Sequence, residues 1–248
     1  MSSRFAFWIA LAACLPPSGC RKAVTPPPSA LRDLHSYARP GEVVVRHVDL
    51  DLEVSFERKT LAGAATLDVE RFTSGAPLKL DTRDLAIGRV EAAASGDPWA
   101  PAAFETGPAD KILGAPLTIK LPDRAARVRI HYSTRPGASA LQWLEPRQTA
   151  GRRPFLFTQS QAIHARSWIP LQDSPGVRVT YSASIRVPQG LRAVMSARME
   201  GGDGGVFRFT MPQAIPSYLI ALAAGDIDSR ELGPRSGVWA EPPLLARA

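Results

Sequence analysis

Catalysis by a bound metal or an activated nucleophile needs particular side chains at particular spacings, and this sequence supplies few of them. Its histidines, His35, His47, His131 and His164, form no His-Glu-x-x-His pattern, and no two lie within a helical turn of each other. His47 and His131 fall on the polar phase of alternating segments, where a solvated imidazole is the ordinary outcome. The cysteines, Cys14 and Cys20, both lie at the extreme N-terminus, so the rest of the chain has neither a thiol nucleophile nor a cysteine ligand. No Gly-x-Ser-x-Gly elbow, Walker loop or Gly-x-Gly-x-x-Gly turn is present. The residues therefore assign no catalytic group, no metal site and no cofactor to this chain.

What remains is polar rather than reactive. Gln159-Ser160-Gln161 follows the apolar run Phe155-Leu156-Phe157. On an extended segment residues two apart point the same way, so Gln159 and Gln161 can present two amides to one ligand. Spacing alone equally describes ordinary polar residues on a half-exposed strand. Asp173, ahead of Ser174-Pro175, reads first as a turn residue whose carboxylate accepts backbone N–H groups or pairs with an arginine such as Arg166. Trp143, Trp168 and Tyr218 read as packing residues.

The elements that must position these groups are strands. Val48, Leu50, Leu52, Val54 and Phe56 alternate strictly with His47, Asp49, Asp51, Glu53 and Ser55, the period of a strand with one buried face. A second strand through Leu67, Val69 and Arg71 follows Lys59-Thr60-Leu61-Ala62-Gly63, which predicts a hairpin. Val177, Val179, Tyr181, Ala183, Ile185 and Val187 form the longest regular alternation, ending at Pro188-Gln189-Gly190. Shorter apolar runs between Gly- and Pro-containing turns complete the pattern, and only Ala162 to Trp168 reads as a helical turn. Ile215 to Ala224 is apolar at nearly every position and reads as a buried strand or core segment. The expected fold is all-β, a saddle-like or sandwich arrangement of antiparallel sheets.

The N-terminus has a different character. Arg4 precedes the apolar stretch Phe5 to Leu15, which has the form of an export signal over residues 1–19 and is too short to span a bilayer as a helix. Pro17-Ser18-Gly19-Cys20 resembles the lipobox of bacterial lipoproteins, with Pro17 where an aliphatic residue is usual and Leu15 close by. That resemblance implies acylation of Cys20, a membrane partner through the lipid, and a place in the bacterial cell envelope or periplasm. Residues 20–39, with Pro26-Pro27-Pro28-Ser29, read as a tether, and the folded part begins near Pro40. The net charge of +7 is carried by scattered arginines without interleaved aromatics, so nucleic acid is not an expected partner.

One stretch is more specific than any pattern. Ala140-Leu141-Gln142-Trp143-Leu144, Phe157-Thr158-Gln159-Ser160-Gln161-Ala162-Ile163-His164-Ala165-Arg166 and Pro170-Leu171-Gln172-Asp173-Ser174-Pro175 closely resemble the N-terminal domain of M1 zinc aminopeptidases of the leukotriene A4 hydrolase-like subgroup. The likeness continues through Met195-Ser196-Ala197, Ile215-Pro216-Ser217-Tyr218-Leu219-Ile220-Ala221-Leu222, Gly233-Pro234-Arg235 and Val238-Trp239. It implies a saddle-shaped β domain over residues 40–241 that covers a zinc domain and helps close its peptide cleft. Gln159, Ser160 and Gln161 are then expected to line the substrate site, with Gln161 near the free amine of a peptide. The Gly-x-Met-Glu-Asn and His-Glu-x-x-His motifs of that family do not occur in these 248 residues. The zinc domain, normally in the same chain, is thus expected to be missing here, with residues 242–248 the start of a linker to it. The alternative expectation is a non-catalytic β domain that binds peptides or proteins by itself.

Overall fold

The computed structural model describes residues 33–247. The export-type segment, Cys20 and most of the proline-rich stretch lie outside the described residues. The strands are β1 (Val43–Ser55), β2 (Thr60–Arg71), β3 (Leu78–Thr82), β4 (Ala86–Ala93), β5 (Ala100–Pro101), β6 (Phe104–Thr106), β7 (Ala115–Ile119), β8 (Arg127–Ser133) and β9 (Leu141–Leu144). They continue as β10 (Phe155–Thr158), β11 (Arg178–Arg186), β12 (Arg192–Met195), β13 (Arg198–Asp203), β14 (Val206–Pro216), β15 (Leu222–Gly225), β16 (Asp228–Gly233) and β17 (Ser236–Ala240). Helix among the described residues is limited to single turns, including Ala165–Ser167, Ser217–Leu219 and Pro242–Leu245.

An eight-stranded sheet runs β13-β14-β11-β1-β2-β8-β4-β5. A four-stranded sheet, β12-β15-β10-β9, and a three-stranded one, β3-β7-β6, complete the body, and β16-β17 is a separate hairpin. Alternation decides which side of each strand is buried. In β1, Val48, Leu50, Leu52 and Val54 point inward while Asp49, Asp51 and Glu53 face water. Leu78, Leu80 and Leu117 from the small sheet, Leu141, Leu156 and Leu222 from the four-stranded sheet, and the inner side chains of the large sheet meet in one continuous apolar cluster. At about 25 cal/mol per Å² of buried apolar surface, that contact is the main term opposing chain entropy.

The all-β architecture agrees with the alternation, and three details differ from the sequence reading. Ser55 pairs with Thr60, so the hairpin connection is Phe56 to Lys59, and Leu61 to Gly63 belong to β2. Gly63 is needed inside that strand, because it has φ +152° and a Cβ there would meet the Asp51 carbonyl oxygen at 1.9 Å. Second, β1 and β11 pair in parallel, with Asp49 opposite Ser182 and Leu52 opposite Ile185. Period-2 burial fixes a strand's faces and not its direction, and the chain passes through the three-stranded sheet and half of the four-stranded one before returning to β1. Third, the packed part begins before Pro40. Ser36 and Ala38 are buried, and the Ser36 hydroxyl and Tyr37 N–H donate to Asp81 at 2.6 and 2.7 Å. The Ile215 to Ala224 segment, read as a buried strand or core segment, consists of a strand end, a 3₁₀ turn and then the start of β15.

Candidate functional site

The four-stranded sheet carries the Gln-Ser-Gln segment out of its edge. β10 pairs with β9, Thr158 opposite Leu141, and Gln159 N–H continues the ladder by donating to the Ala140 carbonyl at 2.8 Å. Beyond that bond the chain turns: His164 N–H donates to the Ser160 carbonyl at 2.9 Å, enclosing Gln161, Ala162 and Ile163. The Gln161–Ala162 peptide bond is cis.

Gln159 and Gln161 are both exposed, and the residue between them is buried. Both side chains reach solvent just past the end of β10, with exposed Phe157 two residues before Gln159. Gln161 N–H donates to Gln159 Oε1 at 3.1 Å, which orients the first amide and leaves its oxygen one lone pair. The side chain of Gln161 has the freer oxygen.

Ser160 lies inside, between its two exposed neighbours. It is 3% exposed; its hydroxyl accepts from Trp168 Nε1–H at 3.1 Å and donates to the Ile220 carbonyl. Between the two exposed glutamines its side chain turns inward and holds Trp168 to the segment leading into β15. Trp168 is itself fully buried, as a packing residue should be.

Behind this edge lies a buried ionic network that sequence spacing showed only in part. Arg166 Nε donates to Asp173 Oδ2 at 3.0 Å, the pairing expected of the Asp-Ser-Pro turn. The guanidinium also donates to the carbonyls of Leu113, His35 and Asp173 at 2.7, 2.8 and 3.0 Å. Asp173 Oδ1 accepts from the Ser217 hydroxyl at 2.5 Å. Asp81, 3.8 Å from Arg166, is a second buried carboxylate in the network and accepts from Ser36, Tyr37 and Asp173 N–H. Burial pushes the Asp81 carboxyl up, against the opposing pull of Arg166 and of those hydrogen bonds. Asp81 was not legible as a buried acid. It follows Leu78 and Leu80 on the polar phase of β3, and what covers it is a long-range bridge between Asp81 and Leu171.

His164, which belongs to no metal-binding pattern in the sequence, adjoins the glutamine turn. Its Nδ1 lies 2.7 Å from the Ser139 hydroxyl and 3.1 Å from Arg83 Nη1. Arg83 Nη1 can only donate, so Nδ1 accepts from it; burial and the charges of Arg83 and Arg166 also push the imidazole pKa down. The other strand histidines join surface networks: His47 bridges Thr180 and Ser182 across the parallel pair, and His131 contacts Glu91. Among the described residues no group of three His, Cys, Asp or Glu side chains is placed to hold a metal.

Comparison with known proteins gives this geometry a context. Residues 44–219 match the profile of the Peptidase M1 N-terminal domain. The chain is 40% identical over 229 residues to a leukotriene A-4 hydrolase of Xenopus laevis, covering 87% of this chain and 37% of that protein. It is 42% identical over 195 residues to a leucine aminopeptidase 2 of Yarrowia lipolytica, covering 77% of this chain and 29% of that one. Among solved structures, native yeast LTA4 hydrolase superposes with a TM-score of 0.81 at 35% identity, over 88% of this chain and 34% of that chain. An M1 zinc metallopeptidase of Deinococcus radiodurans, at 20% identity and a TM-score of 0.61, covers 84% of this chain and 50% of its own and shares the fold. The chain thus spans about a third of the length of the curated relatives it matches.

Proposed function

This chain belongs to the M1 peptidase family, whose N-terminal domain it forms, and from that premise we propose that it closes the substrate cleft of an exported zinc aminopeptidase. The observation that carries this reading is the exposed pair Gln159 and Gln161 at the end of β10, closely following exposed Phe157 in the chain. Amide oxygens accept N–H bonds, so the pair suits the free ammonium of a peptide, and the aromatic ring suits an apolar side chain next to it. Being neutral, the amides orient an ammonium by dipole and discriminate charge less than a carboxylate would.

Zinc, the metal of the relatives' family, does not fit the residues described here, since no ligand set exists among them. The proposal therefore gives this domain binding and positioning roles, and gives peptide-bond cleavage to a zinc domain outside these residues. Joined ahead of the zinc domain of a leucine aminopeptidase relative, the chain should raise turnover of aminoacyl reporter substrates above that of the zinc domain alone. Equal turnover with and without the chain would favour a β domain that binds partners without serving catalysis.

We further propose an envelope location with acylation at Cys20, on the support of Arg4, the Phe5 to Leu15 apolar run and the small residues before the cysteine. A labelled fatty acid fed to producing cells should mark the protein, and Cys20→Ser should abolish the mark. A soluble product, unlabelled in both forms, would remove the anchor.

A further inference from the structure

The two large aliphatic side chains most exposed among the described residues are Leu34, at 74%, and Ile112, at 67%. They are distant in sequence and lie on neighbouring loops. Arg166 joins those loops from beneath, donating from one guanidinium to the Leu113 and His35 carbonyls. The Tyr37 hydroxyl adds a bond to the Gly114 carbonyl at 3.2 Å.

The Ile112 loop is built rather than slack. Asp110 Oδ1 accepts from Ile112 N–H and Leu113 N–H at 2.7 and 2.8 Å, and Arg83 donates to the Ile112 carbonyl. Gly114, at φ +74°, closes the turn where a Cβ would meet the Thr82 carbonyl oxygen at 2.1 Å. A turn so constrained displays Ile112 to solvent at a hydration cost, which an apolar partner would relieve.

We infer that Leu34 and Ile112 form a contact with the lipid surface, an inference that rests on the anchor reading for Cys20. The chain that enters the fold beside Leu34 comes from that cysteine. The fifteen residues from Cys20 to Leu34 span at most roughly 50 Å when extended, which confines the domain near the bilayer. Residues 20–32 contain Arg21, Lys22 and Arg32 and no acid, and exposed Lys111 stands next to Ile112. Aliphatic tips that follow a cationic, acid-free tether match a bilayer with anionic headgroups, although Asp33 and Asp110 stand beside the tips themselves. Two side chains are too small a patch for a stable protein interface but suffice as a second signal beside a lipid.

The test is hydrogen exchange of the full chain reconstituted on vesicles of phosphatidylethanolamine and phosphatidylglycerol. Amides of residues 33–36 and 110–114 should exchange about tenfold more slowly than in the vesicle-free protein, while the hairpin around exposed Leu232 stays unchanged. Leu34→Asp with Ile112→Asp should abolish that protection while the chain remains on the vesicle and the amides of β1 and β11 report an intact fold. If the double variant does not fold, Ile112→Ser is read in its place. A chain that sits on vesicles without protecting either loop overturns the contact and leaves the anchor standing; a chain that stays off vesicles overturns both. Protection that appears without lipid and grows with protein concentration overturns the inference in favour of a second copy.

Discussion

Arg166→Met should lower folding stability by about 3–5 kcal/mol, a large part of what a domain of this size possesses. The expectation follows from what methionine would leave behind. Arg166 is fully buried and is the cation facing Asp81 and Asp173, both themselves buried. Removing it strands two carboxylates in the interior, and also frees the carbonyls of His35, Leu113 and Asp173. The surrounding donors, Ser36, Tyr37 and Ser217, soften the loss without supplying a charge.

The pH dependence of that loss gives a second reading of the same variant. Burial already raises the folded pKa of Asp81 above its ordinary value. A carboxyl raised in this way binds its proton more tightly in the folded state, so its contribution is full below the unfolded pKa and is lost as pH rises through the folded one. Without Arg166 that window widens upward. The deficit of Arg166→Met should therefore be largest near neutral pH and shrink as the solution approaches about pH 4. Urea unfolding of parent and variant at both pH values measures it. A midpoint shift worth less than about 1 kcal/mol at neutral pH would mean that water or rearranged donors compensate the carboxylates, contrary to the buried geometry.

The same network shows why the sequence was legible in one respect and not in another. Alternation identified the buried face of β1 and β11 because each residue's environment there repeats every second position. It could not identify Asp81, which local pattern places facing outward and which is enclosed by Leu171 and by Ser36, residues remote in sequence. The parallel pairing of β1 with β11 escaped for a related reason, since direction is set by the path of the intervening chain. Asp173 with Arg166 was within reach because the two lie only seven positions apart. At the candidate site, strand arithmetic and the family likeness disagreed over Ser160. The likeness grouped it with its neighbours, while alternation alone implies the inward position that its bonds to Trp168 and Ile220 display.

Gln161→Ala should reduce kcat/KM for peptide hydrolysis by roughly tenfold to a hundredfold when the chain is joined to a relative's zinc domain. In the described domain Gln161 is exposed and its side-chain oxygen is the freer of the two amides, whereas Gln159 Oε1 already accepts the Gln161 backbone N–H. Water surrounds such an amide in the open domain, so its bond to an ammonium gains strength only when a cleft closes over both. Hydrogen bonds to a charged group enclosed in that way contribute about 1.5–3 kcal/mol, which sets the expected fold-change. Gln159→Ala should act in the same direction and less, because the alanine removes an oxygen with one lone pair already committed. Gln161→Glu should preserve or raise kcat/KM, since a carboxylate accepts the same bonds and adds attraction for the ammonium. A residue that merely fills the strand end would not respond in that order. Arg186→Ala serves as the control: its ion pair with Asp51 is solvent-exposed and contributes little. Zinc content should be the same in all forms. If Gln161→Ala stays within about twofold of the parent while the fold is intact, the glutamines do not touch the substrate and the site lies elsewhere on the domain.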